Sequence, residues 1–587
     1  MKQKIYSEGA KKVALRGFPG IDLRYPLDGM RGAAAVDNFR IGKDGSLVGR
    51  GGFDKISHFQ GGINGLADLG AGIFFCSGNK VYNVDRATGA ITGGDTSQTL
   101  SNSDGQVGFF ESDGQVYVGD GESVKAYDKT TGALRKVNGY APLIGKLWDP
   151  QEGGEFNESE NLASNRIRIS YLVTSATNML YTKGYVPESI DLVEMNDDPI
   201  DSGRILFNED ECALEGPDGC FTEGIVTVWM TFRTSPQNSA FATAKYFAKA
   251  GTRDGEVLFA YGATGSGGTA YPYVFASSAV SEADMDEAAR AYSVIDRLYF
   301  PASGRFLSNT GSEPVTGICP LDDRVLLFTG SEMLTFAFPS EGEICPVPSG
   351  FFAGCANAYS IVKTGSSVIT ASKDGAFLIT PDRQSFADFR VERISDPLGS
   401  RAPFPNSEDM SLFHSKLTDE LFFVNCGFTS GKTPVYSLGS KRFYTFSGFS
   451  PLAMLVCAGQ NCFFDGTRLC GFSDSRTYDV AVNSITPVTI KKEYRSCLIP
   501  VADPGKVRRP SRIGLTAALE NGSATLTLLD AAGKTVSSHT LNGVQNVPYV
   551  PFSVRPARQR GAFFAFSLKC ESGVTARIFD LMLEAEE

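Results

Sequence analysis

The chain has 587 residues, 42% hydrophobic and 21% charged, with 55 Lys and Arg against 66 Asp and Glu, for a formal net charge of −11. That length exceeds what one hydrophobic core supports and predicts roughly two to four domains. The negative balance excludes a protein that coats nucleic acid, which needs a positive field over the bound surface, and no apolar run reaches the ~18 residues of a membrane helix.

Glycine (64), phenylalanine (42) and tyrosine (21) are abundant. This composition fits turn-rich β structure, because aromatic side chains suit half-buried pleated surfaces and glycine supplies positive φ in turns. The opening Met1-Lys-Gln-Lys-Ile-Tyr-Ser7 lacks the apolar core of a signal peptide. Residues 1–57 are rich in Gly, Asp and Arg and read as an extended arm or clamp strand.

Residues 58–150 contain a repeated pattern in which an apolar run, a tight turn and an aromatic-bearing run close on one turn sequence. Gly72-Ile-Phe-Phe-Cys-Ser-Gly-Asn-Lys-Val-Tyr-Asn-Val-Asp85 ends in Asp85-Arg-Ala-Thr-Gly-Ala90. Gly114-Gln-Val-Tyr-Val-Gly-Asp-Gly-Glu-Ser-Val-Lys-Ala-Tyr-Asp128 ends in Asp128-Lys-Thr-Thr-Gly-Ala133. The spacing of about forty residues is that of a β-propeller blade. Looser copies begin at Asp323, Ser367, Leu421 and Cys462, giving about six candidate blades. Unrelated hairpins in ordinary sandwiches are the competing reading.

From 151 to 300 an acidic linker, Gln151-Glu-Gly-Gly-Glu-Phe-Asn-Glu-Ser-Glu160, leads into longer alternating runs at 166–173 and 224–232, read as a β-rich domain inserted between blades. A helix is predicted over 281–297, where Ser281 and Asp284 form a capping-box-like start and Met285, Ala289, Tyr292 and Ile295 follow at helical spacing. The remaining blades occupy 301–490. Short strands at intervals of eight to twelve residues predict a β-sandwich over 491–587. The fold class is thus all-β: a propeller with an inserted β-rich domain and a C-terminal sandwich.

His58, His414 and His539 match no triad or metal-ligand spacing. The twelve cysteines contain no C-x-x-C and read as buried thiols, with Cys212 and Cys220 the one pair placed to close a loop. Gly262–Ala270 is glycine-rich but lacks the Gly-Lys-Ser/Thr ending of a phosphate loop. Asp-box-like turns at Ser112 and Ser372 are structural, and nothing nominates the carboxylate pair of a glycosidase. No catalytic residue, metal ligand or cofactor is assigned, and the chain is not expected to be an enzyme.

Charge is unevenly distributed. Between Lys491 and Arg560 eleven Lys/Arg face four Asp/Glu, a local balance of +7. Lys491, Lys492, Arg495, Arg508, Arg509, Arg512, Arg555, Arg558 and Arg560 are therefore candidate partner contacts, toward an acidic protein neighbour or DNA phosphates. Arg24, Arg31, Arg40 and Arg50 in the N-terminal segment are a second set, suited to paired hydrogen bonds with a partner's carboxylates.

Gly17-Phe-Pro-Gly-Ile-Asp-Leu-Arg-Tyr-Pro-Leu-Asp28, followed by Asp37-Asn-Phe-Arg-Ile-Gly-Lys-Asp-Gly-Ser-Leu-Val-Gly-Arg-Gly-Gly-Phe53, resembles the opening of tail and neck propellers of tailed bacteriophages. These include tail nozzle (tail tubular protein B-like) proteins, portal-complex hubs and packaged-DNA-stabilising proteins. Asp44-Gly-Ser-Leu-Val-Gly-Arg-Gly-Gly52 matches their entry motif, with Arg50-Gly-Gly in place of the usual Arg-Pro-Gly, and the match spans the first tenth of the chain. The resemblance implies a virion protein made in the bacterial cytoplasm and forming a homo-oligomeric ring, expected as a hexamer. It would sit against portal, adaptor or tail proteins, and genomic DNA would pass without sequence-specific contact and without a membrane partner. An acidic bore would repel the passing DNA. The alternative is a receptor- or glycan-binding propeller at the tail tip, with Trp148 and Trp229 stacking on sugar rings.

Overall fold

The computed structural model describes residues 11–15, 17–94, 99–102, 104–233, 236–252, 255–265, 268–307, 313–338, 344–384, 388–429, 431–481, 486–519, 522–543, 550–557, 559–570 and 576–586. The chain is all-β: strands dominate, and the described α-helices are two short ones, α1 (Pro236–Ala242) and α2 (Glu282–Ala288). Two compact units are present, one made of residues 1–62, 85–91 and 353–587, the other of 63–84 and 92–352.

The second unit carries four antiparallel, propeller-like meanders of four strands each. They comprise Gly65–Leu69 to Ile91–Gly93, Gly108–Ser112 to Leu134–Lys136, Tyr246–Thr252 to Arg305–Leu307, and Gly317–Leu321 to Val347–Pro348. The first strands of successive meanders lie side by side. Apolar side chains such as Phe74, Val116 and Leu134 fill the space between the first two meanders, and Phe110, Phe241 and Phe275 pack between the next two.

The repeated closing turns fold alike. Asp85 Oδ1 accepts the Thr88 amide at 2.8 Å and Asp128 Oδ1 accepts the Thr130 amide at 2.8 Å, and each turn ends in a glycine with positive φ, Gly89 (+73°) and Gly132 (+76°). An aspartate that hydrogen-bonds the amides ahead of it, followed by glycine, closes this turn without strain.

The stretch from 151 to 300, expected as one inserted domain, holds two different structures. A five-stranded sheet of Leu143–Trp148, Arg166–Val173, Gly224–Phe232, Pro187–Met195 and Asp198–Ile200 covers its own core of Ile167, Ile169, Val226 and Val228. A small sheet of Met179–Tyr181, Ala213–Glu215 and Leu206–Asn208 accompanies it. From Tyr246 the chain forms the third meander. Helix α2 is shorter than predicted: Ser281 caps it by accepting the Asp284 amide, but it ends at Ala288. Tyr292 instead packs edge-on against Trp229 and donates its hydroxyl to Asp191 at 2.8 Å.

The first unit carries three further meanders, beginning at Ile361–Thr364, Ser411–Ser415 and Ala453–Cys457. The fourth strand of the last one is Gly52–His58, from the other end of the sequence. The C-terminal strands form two sheets with a shared core that includes Leu515, Leu526, Phe566, Leu568, Ile578 and Leu583. The N-terminal segment is woven into both. Ala33–Asp37 pairs with Lys492–Ser496, while Leu47–Gly49 and Lys11–Leu15 pair with Ala576–Glu586.

Candidate interaction surface

The entry motif folds into a buried polar clasp. Asn38 adopts a left-handed conformation (φ +57°), and its amide nitrogen donates to Ser447 Oγ at 2.8 Å and to the Lys491 carbonyl at 2.7 Å. Its Oδ1 accepts Arg50 Nε at 2.6 Å. Arg50 also forms a bidentate pair with Asp479, at 2.8 and 2.6 Å, and donates to the carbonyls of Gly51 (2.9 Å) and Ser447 (2.7 Å). All five guanidinium donors are thereby used, inside a cage formed by the rings of Phe446, Phe449 and Phe472. The glycines around it are steric necessities: a Cβ on Gly52 would overlap the Tyr478 backbone, and one on Gly51 the Ser473 carbonyl. Asp44 in the same motif accepts the Ser46 hydroxyl at 2.7 Å and Arg577 at 2.6 Å, and its pKa is held down to about 2, chiefly by Ser46 and further by Arg577.

This geometry sorts the N-terminal arginines. Arg50, whose side chain is 1% exposed, has no surface to offer a partner, and its predicted role as an anchor is corrected to an internal one. Arg40 is committed to Glu420 (2.7 Å) and Asp474 (3.1 Å). Arg24 and Arg31 are exposed; Arg24 pairs with Asp22 at 2.8 Å and Arg31 with Asp28 at 3.4 Å, while both guanidinium groups lie 5.5 Å from the centre of the Tyr25 ring.

The C-terminal candidates separate likewise. Lys492 is buried, which again corrects the expectation of a contact residue. Burial lowers its pKa to about 8, against the opposing influence of the Cys570 thiol. Lys491 and Arg495 are exposed beside it. The others assemble into a basic rim at one end of the sandwich. Arg508 and Gly561 exchange backbone hydrogen bonds at 2.9 Å, bringing Lys506–Arg509 beside Arg560. The Ile513–Val554 pairing sets Arg512 next to Arg555, and Arg512 donates to Ser553 at 2.8 Å. Arg509 faces Glu586 at 3.6 Å. Arg558 lies outside the described residues.

Other candidates fall away as surface groups. Trp148 and Trp229 are 1% and 0% exposed, so neither presents a face to a sugar. Cys212 and Cys220 are free thiols, as are the other ten cysteines. Among the described residues no cluster of three or more His, Cys, Asp or Glu is placed to hold a metal ion. Sequence reading missed Asp479, Glu420 and Asn38, which give the motif arginines their purpose. The spacing Asn38-x11-Arg50 was visible, but the carboxylates that complete it lie more than 370 residues away in the sequence.

No family model matches the chain, and no curated protein does. Solved structures overlap it only loosely. A carbohydrate-binding module in complex with β-1,4-galactotriose shares 13% identity and a TM-score of 0.12; the match spans 16% of this chain and 60% of the module. The extracellular domain of a putative hybrid two-component system from B. thetaiotaomicron shares 12% identity at a TM-score of 0.26, over 88% of this chain and 84% of that one. An exo-β-1,3-galactanase from Phanerochaete chrysosporium shares 11% identity at 0.22, over 71% of this chain and all of the enzyme. Overlaps at these scores carry no argument about site or activity.

Proposed function

We propose that the chain is a structural virion protein of a tailed bacteriophage, its meanders serving as propeller blades and its copies assembling into a ring at the neck or tail for DNA retention and ejection. The observation that carries this reading is the entry motif. The residues that resemble the opening of phage tail and neck propellers are the ones that tie the N-terminal segment to Ser447 at the end of the sixth meander, to Asp479 in the strand Tyr478–Val480 and to Lys491 at the start of the sandwich, through Asn38 and Arg50. A conduit under pressure needs stiffness, and a caged, fully bonded arginine provides it locally. The strand Gly52–His58, which completes a meander otherwise drawn from 453–473, supports the blade reading, because a propeller commonly closes by joining the two ends of its chain in one sheet.

Cryo-electron microscopy of virions containing this chain, or of the purified chain with the products of adjacent genes, tests the proposal. A closed ring on the channel axis is expected, with a bore wide enough for duplex DNA. A persistent monomer, or an off-axis spike accompanied by a clear hit on a glycan array, would overturn it in favour of surface recognition.

A further inference from the structure

The chain's net charge is concentrated in one segment. Residues 151–235 contain sixteen Asp and Glu against five Lys and Arg, a balance of −11, so the remaining sequence is neutral overall. This acidic segment includes the five-stranded sheet and the small sheet beside it. At the tip of the small sheet, Glu209, Asp210 and Glu211 are all exposed, and the Asn208 side chain fixes their turn by accepting the Asp210 and Glu211 amides at 3.1 and 3.2 Å. Leu206, next to the tip, is 70% exposed. The basic rim of the sandwich has the complementary character: Lys506, Arg555 and Arg560 are exposed, and Val507 among them is 50% exposed.

We infer that the basic rim is a docking surface for a second copy of this chain, and that its occupant is the neighbour's acidic tip. The argument is charge complementarity within a single sequence. A rim rich in Lys and Arg selects a carboxylate-rich surface, and this chain carries its entire net negative charge in its own 151–235 segment. An exposed aliphatic side chain on each side gives the contact an apolar centre within a polar rim. Because the two patches differ, the contact is heterologous, and repetition yields a closed ring or an open filament rather than an isologous dimer. The inference rests on the reading that the chain assembles with itself, and it adds which surfaces meet.

The test uses the full-length chain in two charge-reversed forms, Glu209→Lys/Asp210→Lys/Glu211→Lys and Lys506→Glu/Arg555→Glu/Arg560→Glu, each checked for an unchanged melting profile. Sedimentation velocity at low and high salt is expected to show self-association of the parent that weakens as salt screens the contact. Each reversed form alone should associate at least tenfold more weakly. An equimolar mixture should recover association, because each form then meets its complement. Unchanged association in either reversed form, no recovery on mixing, or a parent that stays monomeric at low salt would overturn the inference. Should either reversed form fail to fold, zero-length carbodiimide coupling of isotopically mixed parent chains decides the matter. Links between Lys506 and residues 209–211 of different copies are expected, and links only within one copy would overturn the inference. A ring seen in virions alongside reversal-insensitive association would reject these surfaces while leaving the ring reading intact.

Discussion

Arg50 and Lys492 are two buried cations with opposite consequences. Arg50 is matched by a bidentate carboxylate and three further acceptors, so its charge is fully compensated. Replacing it with alanine would leave Asp479, itself 3% exposed, as an uncompensated buried charge, and unfolding in urea should show a loss of about 3–5 kcal/mol. Adding Asp479→Asn to Arg50→Ala should recover part of that loss; no recovery would mean that the caging rings, not the ion pair, hold the clasp.

Lys492 is buried as well, and burial, the largest influence on it, brings its pKa to about 8, below the usual lysine value. Between pH ~8 and ~10.4 the unfolded chain therefore holds more protons than the folded one, so this residue's contribution rises with pH through that window and is least favourable below it. Lys492→Met should be more stable than the parent at pH 7, with an advantage that shrinks as pH rises from 8 to 10. Taking the difference between the two proteins cancels the tyrosine and cysteine titrations common to both. A difference that stays constant with pH would show that the folded chain keeps the amine solvated.

At the level of elements, legibility followed the range of the determining contacts. The closing turns at Asp85 and Asp128 were readable because every group that forms them lies within six residues. The cap of α2 was readable for the same reason, but its length was not: Met285, Ala289, Tyr292 and Ile295 have helical spacing, yet Tyr292 gains an aromatic contact with Trp229 and a hydrogen bond to Asp191 by leaving the helix. Tertiary burial outweighs propensity in so short a segment. The third meander escaped notice because its fourth strand, Arg305–Leu307, is separated from the third, Tyr273–Ala276, by a long excursion that includes α2. The sandwich strands were visible as short alternating runs, whereas the incorporation of Leu47–Gly49 and Lys11–Leu15 was not, since a sequence pattern does not name a partner more than 500 residues away. The basic rim was legible as a count of charges; that Lys492 is buried was not.

At the scale of the whole molecule, two units with separate cores should fail separately when one loses a central strand. Ala576–Glu586 is such a strand. It pairs with Arg509–Leu519 along one edge and with Leu47–Gly49 and Lys11–Leu15 along the other, and it buries Ile578, Leu581 and Leu583 to 3% exposure or less. Deleting residues 576–587 would leave three strands without this partner and open the sandwich core, a loss larger than the stability of an ordinary domain. Among the described residues, no strand of the unit made of 63–84 and 92–352 pairs with this segment, and its meanders pack through their own apolar layers. Hydrogen exchange read by mass spectrometry on the truncated chain should therefore show amide protection lost across 492–570 while the strands at 108–136 and 246–276 keep theirs. Protection lost in both regions together would mean that the chain folds as a single cooperative block, and protection kept in both would mean that the sandwich tolerates the loss of its central strand.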